Sequence, residues 1–395
     1  MKLFFIILFF SLSLHCVSQD CKCPPETDHV RIAFYNLENF FDTYDDTLKN
    51  DDDYTPRGIK GWNKKKFKSK TSNIYKTLLG LSESVPVPII GIAEIENKLC
   101  IKELLYNTPL KAVDYRYIHY DSPDKRGIDV AFIYNPKVFN PLRHYPINAT
   151  IDGDPPTLTR DILYVKGTFC SGDTLHFFVC HLPSRLGGQA ASNYKRNFVC
   201  DIIYRNIDSV IKNNPNANII VMGDMNDNPS DESISEHLCR NNLVQNISKD
   251  IISRQGIGTI KHNAFWYVFD QILVSKNLLS GDEITVVDGT AHTGNLNFLL
   301  MKDKKFGGMK PLRTYNSVCS LCLQGRVEKK MKIEVRTLDF NGKPIKLYTT
   351  SWNGKKVEFA SIREAILYGM GFGSDQAAEL RYEMAKSKKK ELKRL

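Results

Sequence analysis

Apolar and polar positions along this chain alternate in two periods, one near two residues and one near three and a half. Val30, Ile32 and Phe34 alternate through His29 to Asn36, the pattern of a half-buried strand. Asp42 to Gly61 is a polar stretch containing Asp51-Asp52-Asp53 and reads as a loop. Ile74, Leu78 and Leu81 share one face of a helix expected over Ser72 to Leu81. Ile89-Ile90-Gly91-Ile92-Ala93 is continuously apolar, as a central strand covered on both faces must be, and it stops at Glu94-Ile95-Glu96-Asn97. A helix near Lys98 to Tyr106 and a strand at Asp129 to Tyr134 follow.

Asp161 to Phe169 and Thr174 to Cys180 are joined by Ser171-Gly172-Asp173, which predicts an antiparallel hairpin. Ala190 to Lys212 carries Phe198, Ile202, Ile207 and Ile211 as the apolar positions of a long helix. Asn218 to Met222 is a second buried strand ending at Gly223-Asp224, a helix is expected near Ser230 to Leu238, and Asp270 to Ser275 is a further strand. A hairpin together with βα alternation predicts mixed sheets with helices outside them, not a purely parallel sheet. From about Gly325 the character changes. Two strand-like runs, Ile333 to Leu338 and Pro344 to Thr349, flank Asn341-Gly342, and helical patterns follow at Ser361 to Tyr368 and Gln376 to Ala385. Residues 331–395 are therefore read as a small appended ββα-type unit.

Composition narrows the class. Of 395 residues 42% are hydrophobic and 25% charged, values that exclude disordered, collagenous and multi-span membrane chains. The net charge is +10, but 14 Lys and Arg against 8 Asp and Glu in 331–395 account for +6 of it. The long middle part is thus not a basic, nucleic-acid-coated surface. Its tract Lys64-Lys65-Lys66-Phe67-Lys68 reads as a solvated loop and helix start. Lys2 followed by the apolar run Leu3 to Phe10 has the form of a secretory signal peptide over residues 1–19, too short to span a bilayer, which takes about 20 apolar residues. Export is the resulting expectation, to a periplasmic, outer-surface or extracellular place. Lipid anchoring on Cys16 is disfavoured by the preceding Leu14-His15. Ten cysteines leave nine after such cleavage, an odd number. Cys319 and Cys322 have half a zinc-ribbon spacing, and one pair cannot fill four ligand positions.

Candidate chemistry gathers at strand ends. Glu94 follows one buried strand, His181 another, Asp224 and Asn226 a third, and Asp270 begins a fourth. Three carboxylates, an imidazole and an amide make the inventory for hydrolysing a phosphate ester with a hard divalent cation, Mg²⁺ or Mn²⁺. Taken singly, each has a bland alternative: a helix-start Glu, a structural His, an Asp-x-Asn turn.

Taken in order, these motifs resemble the endonuclease/exonuclease/phosphatase superfamily over roughly residues 30–316. The resemblance rests on Arg31-Ile32-Ala33-Phe34-Tyr35-Asn36-Leu37-Glu38-Asn39, Gly91-Ile92-Ala93-Glu94-Ile95-Glu96-Asn97 and Arg126-Gly127-Ile128-Asp129-Val130-Ala131. It continues through Cys180-His181-Leu182-Pro183-Ser184-Arg185, Gly223-Asp224-Met225-Asn226 and Asp270-Gln271-Ile272-Leu273-Val274-Ser275. It implies an α/β (α+β) fold, a four-layer α/β/β/α sandwich of two mixed sheets like that of deoxyribonuclease-I. It further implies that Glu94, with Asn36 beside it, holds the metal. His181 and Asn226 would hold the phosphate, Asp224 would activate water, and Asp270 would support a late catalytic histidine. Arg126, Asp129 and Arg185 would border the substrate.

The chain departs from that family at its end. The family closes with Ser-Asp-His on a last strand, expected shortly after Lys310-Pro311-Leu312-Arg313-Thr314-Tyr315-Asn316. Here the sequence runs Ser317-Val318-Cys319-Ser320-Leu321-Cys322, and no histidine follows His292. Either a fused or shifted reading frame near Ser317 replaces the strand, with Met331 as an internal start, or activity is impaired. The functional expectation is an exported, metal-dependent phosphoesterase, foremost a nuclease-like phosphodiesterase with a phosphate ester, nucleic acid included, as substrate. A catalytically impaired binding protein and a phosphomonoesterase or phospholipid head-group hydrolase stand as alternatives. Oligomeric state is not legible.

Overall fold

The computed structural model describes residues 30–82, 85–170, 172–280, 284–287 and 289–312, and the backbone of 323–325, 334–340, 343–352 and 355–359. The leader, the Ser317–Cys322 stretch and the helices expected beyond 360 lie outside the described residues. Among the described residues no helix is long and apolar enough to cross a membrane.

The first large sheet contains β1 (Ile32–Phe40), β2 (Ile89–Ile95), β3 (Arg116–His119) and β4 (Asp129–Tyr134). The second begins with β5 (Phe139–Ile147), β6 (Ile162–Phe169), β7 (Thr174–His181) and β8 (Asn218–Asp224) and adds β9 (Val244–Asn246). Two short strands, β10 (Ile260–His262) and β11 (Phe265–Tyr267), form a separate hairpin. Next come β12 (Asp270–Ser275), β13 (Ala291–Thr293), a second small hairpin of β14 (Leu300–Lys302) with β15 (Met309–Pro311), and β16 (Leu323–Gly325). The strand orders are β13-β16-β1-β2-β4-β3 and β5-β6-β7-β8-β12-β9. Both six-stranded sheets are mixed: β1 is parallel to β2 and β7 to β8, while the other pairs run antiparallel.

Strand periodicity decides which residue enters which core. In β2, Ile90 and Ile92 pack with Ile74 and Leu78 of α1 (Lys64–Gly80) and with Ile101 and Leu104 of α2 (Lys98–Tyr106). Ile89 and Ala93 turn the other way, into a core shared by both sheets with Phe132, Phe177, Ile220 and Met222. In β8 the opposite residues, Ile219 and Val221, meet Val199, Ile203 and Ile207 of α3 (Gln189–Asn213). Helix, sheet, sheet, helix is the four-layer sandwich expected from the sequence.

Several boundaries move. The helix expected from Ser72 starts at Lys64, because Asn63 caps it by accepting from the amides of Lys65 and Lys66. The stretch expected to be helical from Ser230 is regular only over Ser233–Leu238 and is wound as a π-helix. The sequence pattern gives no strand at β3, β5, β9, β10, β11, β13, β14 or β15. β5 is an edge strand whose exposed Leu142 and paired prolines blur the alternation. In the appended segment β17 (Glu334–Phe340), β18 (Lys343–Trp352) and β19 (Lys355–Phe359) form a three-stranded antiparallel sheet of their own. β17 and β18 cover the two expected strands, and β19 is one more strand than the ββα reading has.

His176 on β7 is buried and shares a hydrogen bond of 2.7 Å with the Tyr164 hydroxyl of β6. Burial, helped by the charge of Lys166, pushes its pKa down to about 4. An unfolded His takes its proton near 6.5, so the unfolded state gains protons first as pH falls. Stability contributed here is complete above about 6.5 and is lost as pH falls toward 4. Thermal melts from pH 7.5 to 4.5 should show a shallower acid-side loss for His176→Gln than for wild type. Equal slopes would show that this histidine is not responsible.

Candidate functional site

The site lies where the two sheets present one common rim. Register puts three of its residues in a row: His181 pairs opposite Asp224 in the parallel β7-β8 ladder, and Asp224 opposite Asp270 in the antiparallel β8-β12 ladder. Asp270 begins its strand and Asp224 ends its own because the two run in opposite directions. Gly223 is required just behind this row, since a Cβ there would meet the Cys180 carbonyl oxygen at 2.2 Å.

The other sheet contributes Asn36 and Glu94 across the gap. The pairing of β1 with β2 slips between Asn36 and Phe40, and that of β2 with β4 slips between Ala93 and Ile95. Glu94 sits in the second slip with φ of 60°, a left-handed conformation uncommon for a non-glycine residue. Asn226 likewise has φ of 51°. The Asn36 amide nitrogen donates to Glu94 Oε1 at 3.1 Å and to Asp224 Oδ2 at 2.8 Å. The other Glu94 oxygen accepts from the Asn39 amide at 2.7 Å. The second Asp224 oxygen accepts from the Asn226 amide at 2.9 Å, and the Asn226 side chain donates to the Leu182 carbonyl at 3.0 Å.

Charge is concentrated here. His181 Nε2 lies 3.8 Å from both Glu94 Oε1 and Asp224 Oδ2. Burial, then the positive charges of Arg160 and Arg126, push the His181 pKa well below its usual value, so the imidazole is neutral at ordinary pH. Burial raises Asp224 to about 6, with Glu94 adding to the effect. Burial and the neighbouring Asp224 hold Asp270 well above the usual carboxylate range. Thr259 anchors Asp270 by accepting from its amide at 3.1 Å and from that of Phe269 at 3.0 Å.

The donor set fits a hard divalent cation. Glu94, His181 and Asp224 each present a ligand atom, and these atoms lie within 4.8 Å of one another. Two of them are carboxylates whose mutual repulsion a cation would relieve. Asn36 holds those carboxylates together through its amide nitrogen, while its oxygen accepts from the Glu38 amide at 2.8 Å. The rim opens into a cavity of about 730 Å³ lined by Asn36, Glu94, Asp224, Asn226 and Asp270 on its floor.

The remaining expected residues stand around this centre. Arg126 is half-exposed beside Asp124, close enough for its charge to act on His181. Asp129 is buried under the 122–129 loop, accepting from the Ser122 amide at 3.0 Å and lying 3.3 Å from His119 Nε2. Arg185 faces the loop after β8 and not the cavity. It binds Asp227 at 2.7 Å, Asp231 at 2.6 Å and the Asn226 carbonyl at 2.7 Å. These contacts brace the Asp224–Asn226 corner.

Arg160 escaped the sequence reading. Its buried guanidinium joins Asp124 at 3.0 Å to the carbonyls of His181 at 3.3 Å and Leu182 at 2.7 Å, fixing the strand end that carries His181. An arginine before a strand gives no signal of such a role. On the side of the missing Ser-Asp-His, β16 pairs with β1 through Gln324 opposite Ala33 and Leu323 opposite Phe34. In the sequence, residues 313–322 contain neither Asp nor His. His292 does not replace them: it lies on the outer strand β13, with Nδ1 2.9 Å from the Thr290 carbonyl.

With two mixed sheets and this rim described, the chain's class is defined. The endonuclease/exonuclease/phosphatase family matches residues 31–325, and the chain belongs to that family. No curated protein sequence matches it. Among solved structures it is similar to the human Nocturnin catalytic domain with bound sulfate, at 15% identity, covering 75% of this chain and 93% of that one with a TM-score of 0.46. A mannosyl-6-phosphatase of Bacteroides thetaiotaomicron is similar at 14% identity, 75% and 99% coverage and a TM-score of 0.48. A truncated TDP2 of Caenorhabditis elegans is similar at 15% identity, 75% and 95% coverage and a TM-score of 0.46.

Behind the rim, Arg196 is fully buried and bonds Asp227 at 2.5 Å, Ser192 at 2.9 Å and the Gln189 carbonyl at 3.2 Å. Removing Arg196 takes from buried Asp227 one of its two cations and leaves Arg185 as the other. Arg196→Met should lower the unfolding free energy by about 3–5 kcal/mol in urea titrations, and Asp227→Leu in the same chain should restore part of it. A loss below about 1 kcal/mol would show that the pair does not hold this corner.

Proposed function

We propose that this chain is an exported, divalent-metal-dependent phosphodiesterase of nuclease-like type. The observation that carries the reading is the convergence of Glu94, His181 and Asp224, with ligand atoms within 4.8 Å of one another, where Glu94 and Asp224 line a cavity large enough for a nucleotide-sized substrate and His181 lies buried behind them. Glu94, with Asn36 alongside, would hold magnesium or manganese, which when bound would supply positive charge to offset that of the phosphate and the departing oxygen. The chain's own residues do the rest. Asp224, fixed by the Asn36 and Asn226 amides, takes the proton of the attacking water. His181 stays neutral and holds a phosphate oxygen through Nε2–H, with Asn226 beside it. Asp270, anchored at Thr259, supports the proton inventory of the row. Export rests on the leader-like residues 1–19.

A second reading has its own observation. Residues 313–322 contain no Asp or His where the family closes with Ser-Asp-His, which makes the protein in this form a phosphate-ester binder with impaired turnover. Hydrolysis of plasmid DNA, RNA and bis-p-nitrophenyl phosphate with Mg²⁺ or Mn²⁺ separates the two, with p-nitrophenyl phosphate and phosphatidylcholine testing the monoesterase and head-group alternatives. Metal-dependent diester cleavage, reduced at least about a hundredfold in Glu94→Gln, is the expected result. Full activity in that variant refutes the role given to Glu94. No turnover on any substrate by folded protein establishes the binder.

A further inference from the structure

The cavity has a wall unlike its floor. Beside the acids Glu94, Asp224 and Asp270, its lining includes Lys261, His262, Lys305, Phe306 and Lys310, contributed by the β10-β11 and β14-β15 hairpins. This wall is built, not merely exposed. Lys261 is buried, bonding Asp303 at 3.1 Å and the Gly307 carbonyl at 2.7 Å, so it fastens the 303–308 loop to β10. Asp303 tightens the same loop by accepting from the amides of Lys305 at 3.1 Å and Phe306 at 3.3 Å. The clamp sets one carboxylate against two ammonium groups, since Lys310 lies 3.7 Å from Asp303 as well. An excess of positive charge is left facing the cavity, carried by Lys305 and the 41%-exposed Lys310. Phe306 is 40% exposed beside them, its ring centroid 4.9 Å from Lys305 Nζ.

A scissile phosphate sits at the floor under the reading above. It gives no reason for ammonium groups and an aromatic ring in the lining of the same cavity. A substrate with a second anionic group and a planar ring does. We propose that Lys305 and Lys310 form a subsite for the phosphate flanking the scissile one in a short nucleic-acid strand, with Phe306 as the stacking face for a base. The inference rests on the phosphodiesterase reading and adds its substrate class. Lysine acts at such a site as a point charge without base readout, so the subsite is sequence-tolerant and salt-dependent.

The test is equilibrium binding by titration calorimetry, with Mg²⁺ present, of thymidine dinucleotides whose internal linkage is a phosphorothioate, bearing a terminal phosphate at the 5′ end, the 3′ end or neither. At least one phosphorylated form is expected to bind roughly tenfold more tightly than the unphosphorylated one, the worth of a charge-assisted contact. Lys305→Ala with Lys310→Ala should abolish that difference, while leaving affinity for the unphosphorylated dinucleotide and the rate on bis-p-nitrophenyl phosphate within about twofold. Phe306→Ala should weaken all three dinucleotides alike. Equal affinities in wild type, or a difference surviving in the double variant, overturn the subsite while leaving diester hydrolysis untouched. Discrimination without turnover of any diester would uphold the subsite and sink the catalytic reading instead. Binding of none of the three overturns both.

Discussion

Two sheets pack back to back, and the closeness of that packing governs everything at the rim. At Gly91 of β2, packed against Met222 of β8, a Cβ would meet the Met222 sulfur at 2.9 Å. The glycine lets the strand that ends in Glu94 approach the strand that ends in Asp224. Only then can one amide, that of Asn36, reach a carboxylate on each sheet. The site is a bridge between layers, and side chains of a single sheet do not compose it. A methyl group in the core would be felt at the rim as a wider gap between carboxylates, because packed interiors transmit small shifts.

The same bridge holds like charges together. Glu94, Asp224 and Asp270 share a low-dielectric rim with a histidine that burial keeps neutral. Hydrogen bonds from Asn36, Asn39, Asn226 and Thr259 orient these acids but do not neutralise them. The counterweight inside the protein is Arg160, which acts from behind through the His181 strand end. Folding therefore leaves the rim acidic and oriented, a surface whose partner is a cation, and the hairpin lining of the cavity basic.

Much of this was legible in the sequence where one residue type answers one requirement. A continuous apolar run such as Ile89 to Ala93 can only be a doubly covered strand, and polar residues at the ends of such strands must share a rim if the strands share a sheet. The row of His181, Asp224 and Asp270 follows from that rule once the direction of β12 is known. Arg185 and Arg160 were not legible, because the partner of an arginine is fixed by tertiary position. The motif surrounding Arg185 gives no sign of Asp227 and Asp231, more than 40 residues away, which bind it. The basic wall was hidden for another reason: Lys261 and Lys310 look like ordinary surface lysines until Asp303 brings their hairpins together. Strand extent in β5 was obscured by its edge position, where solvent faces much of the strand.

The pairing of β1 with β16 has a consequence for how the chain reaches its fold. β1 is the first strand of the domain to be made, and the partner on one of its edges, Gln324 opposite Ala33, is nearly the last. Until some 290 residues have followed, that edge offers unpaired amides and carbonyls to any strand that passes. Contacts so distant in sequence form slowly, and the open edge is exposed to association with other chains meanwhile. What occupies the β16 position thus guards the nascent sheet against aggregation as well as closing its rim. A chain that changes this segment alters its yield of soluble protein by a route separate from its chemistry.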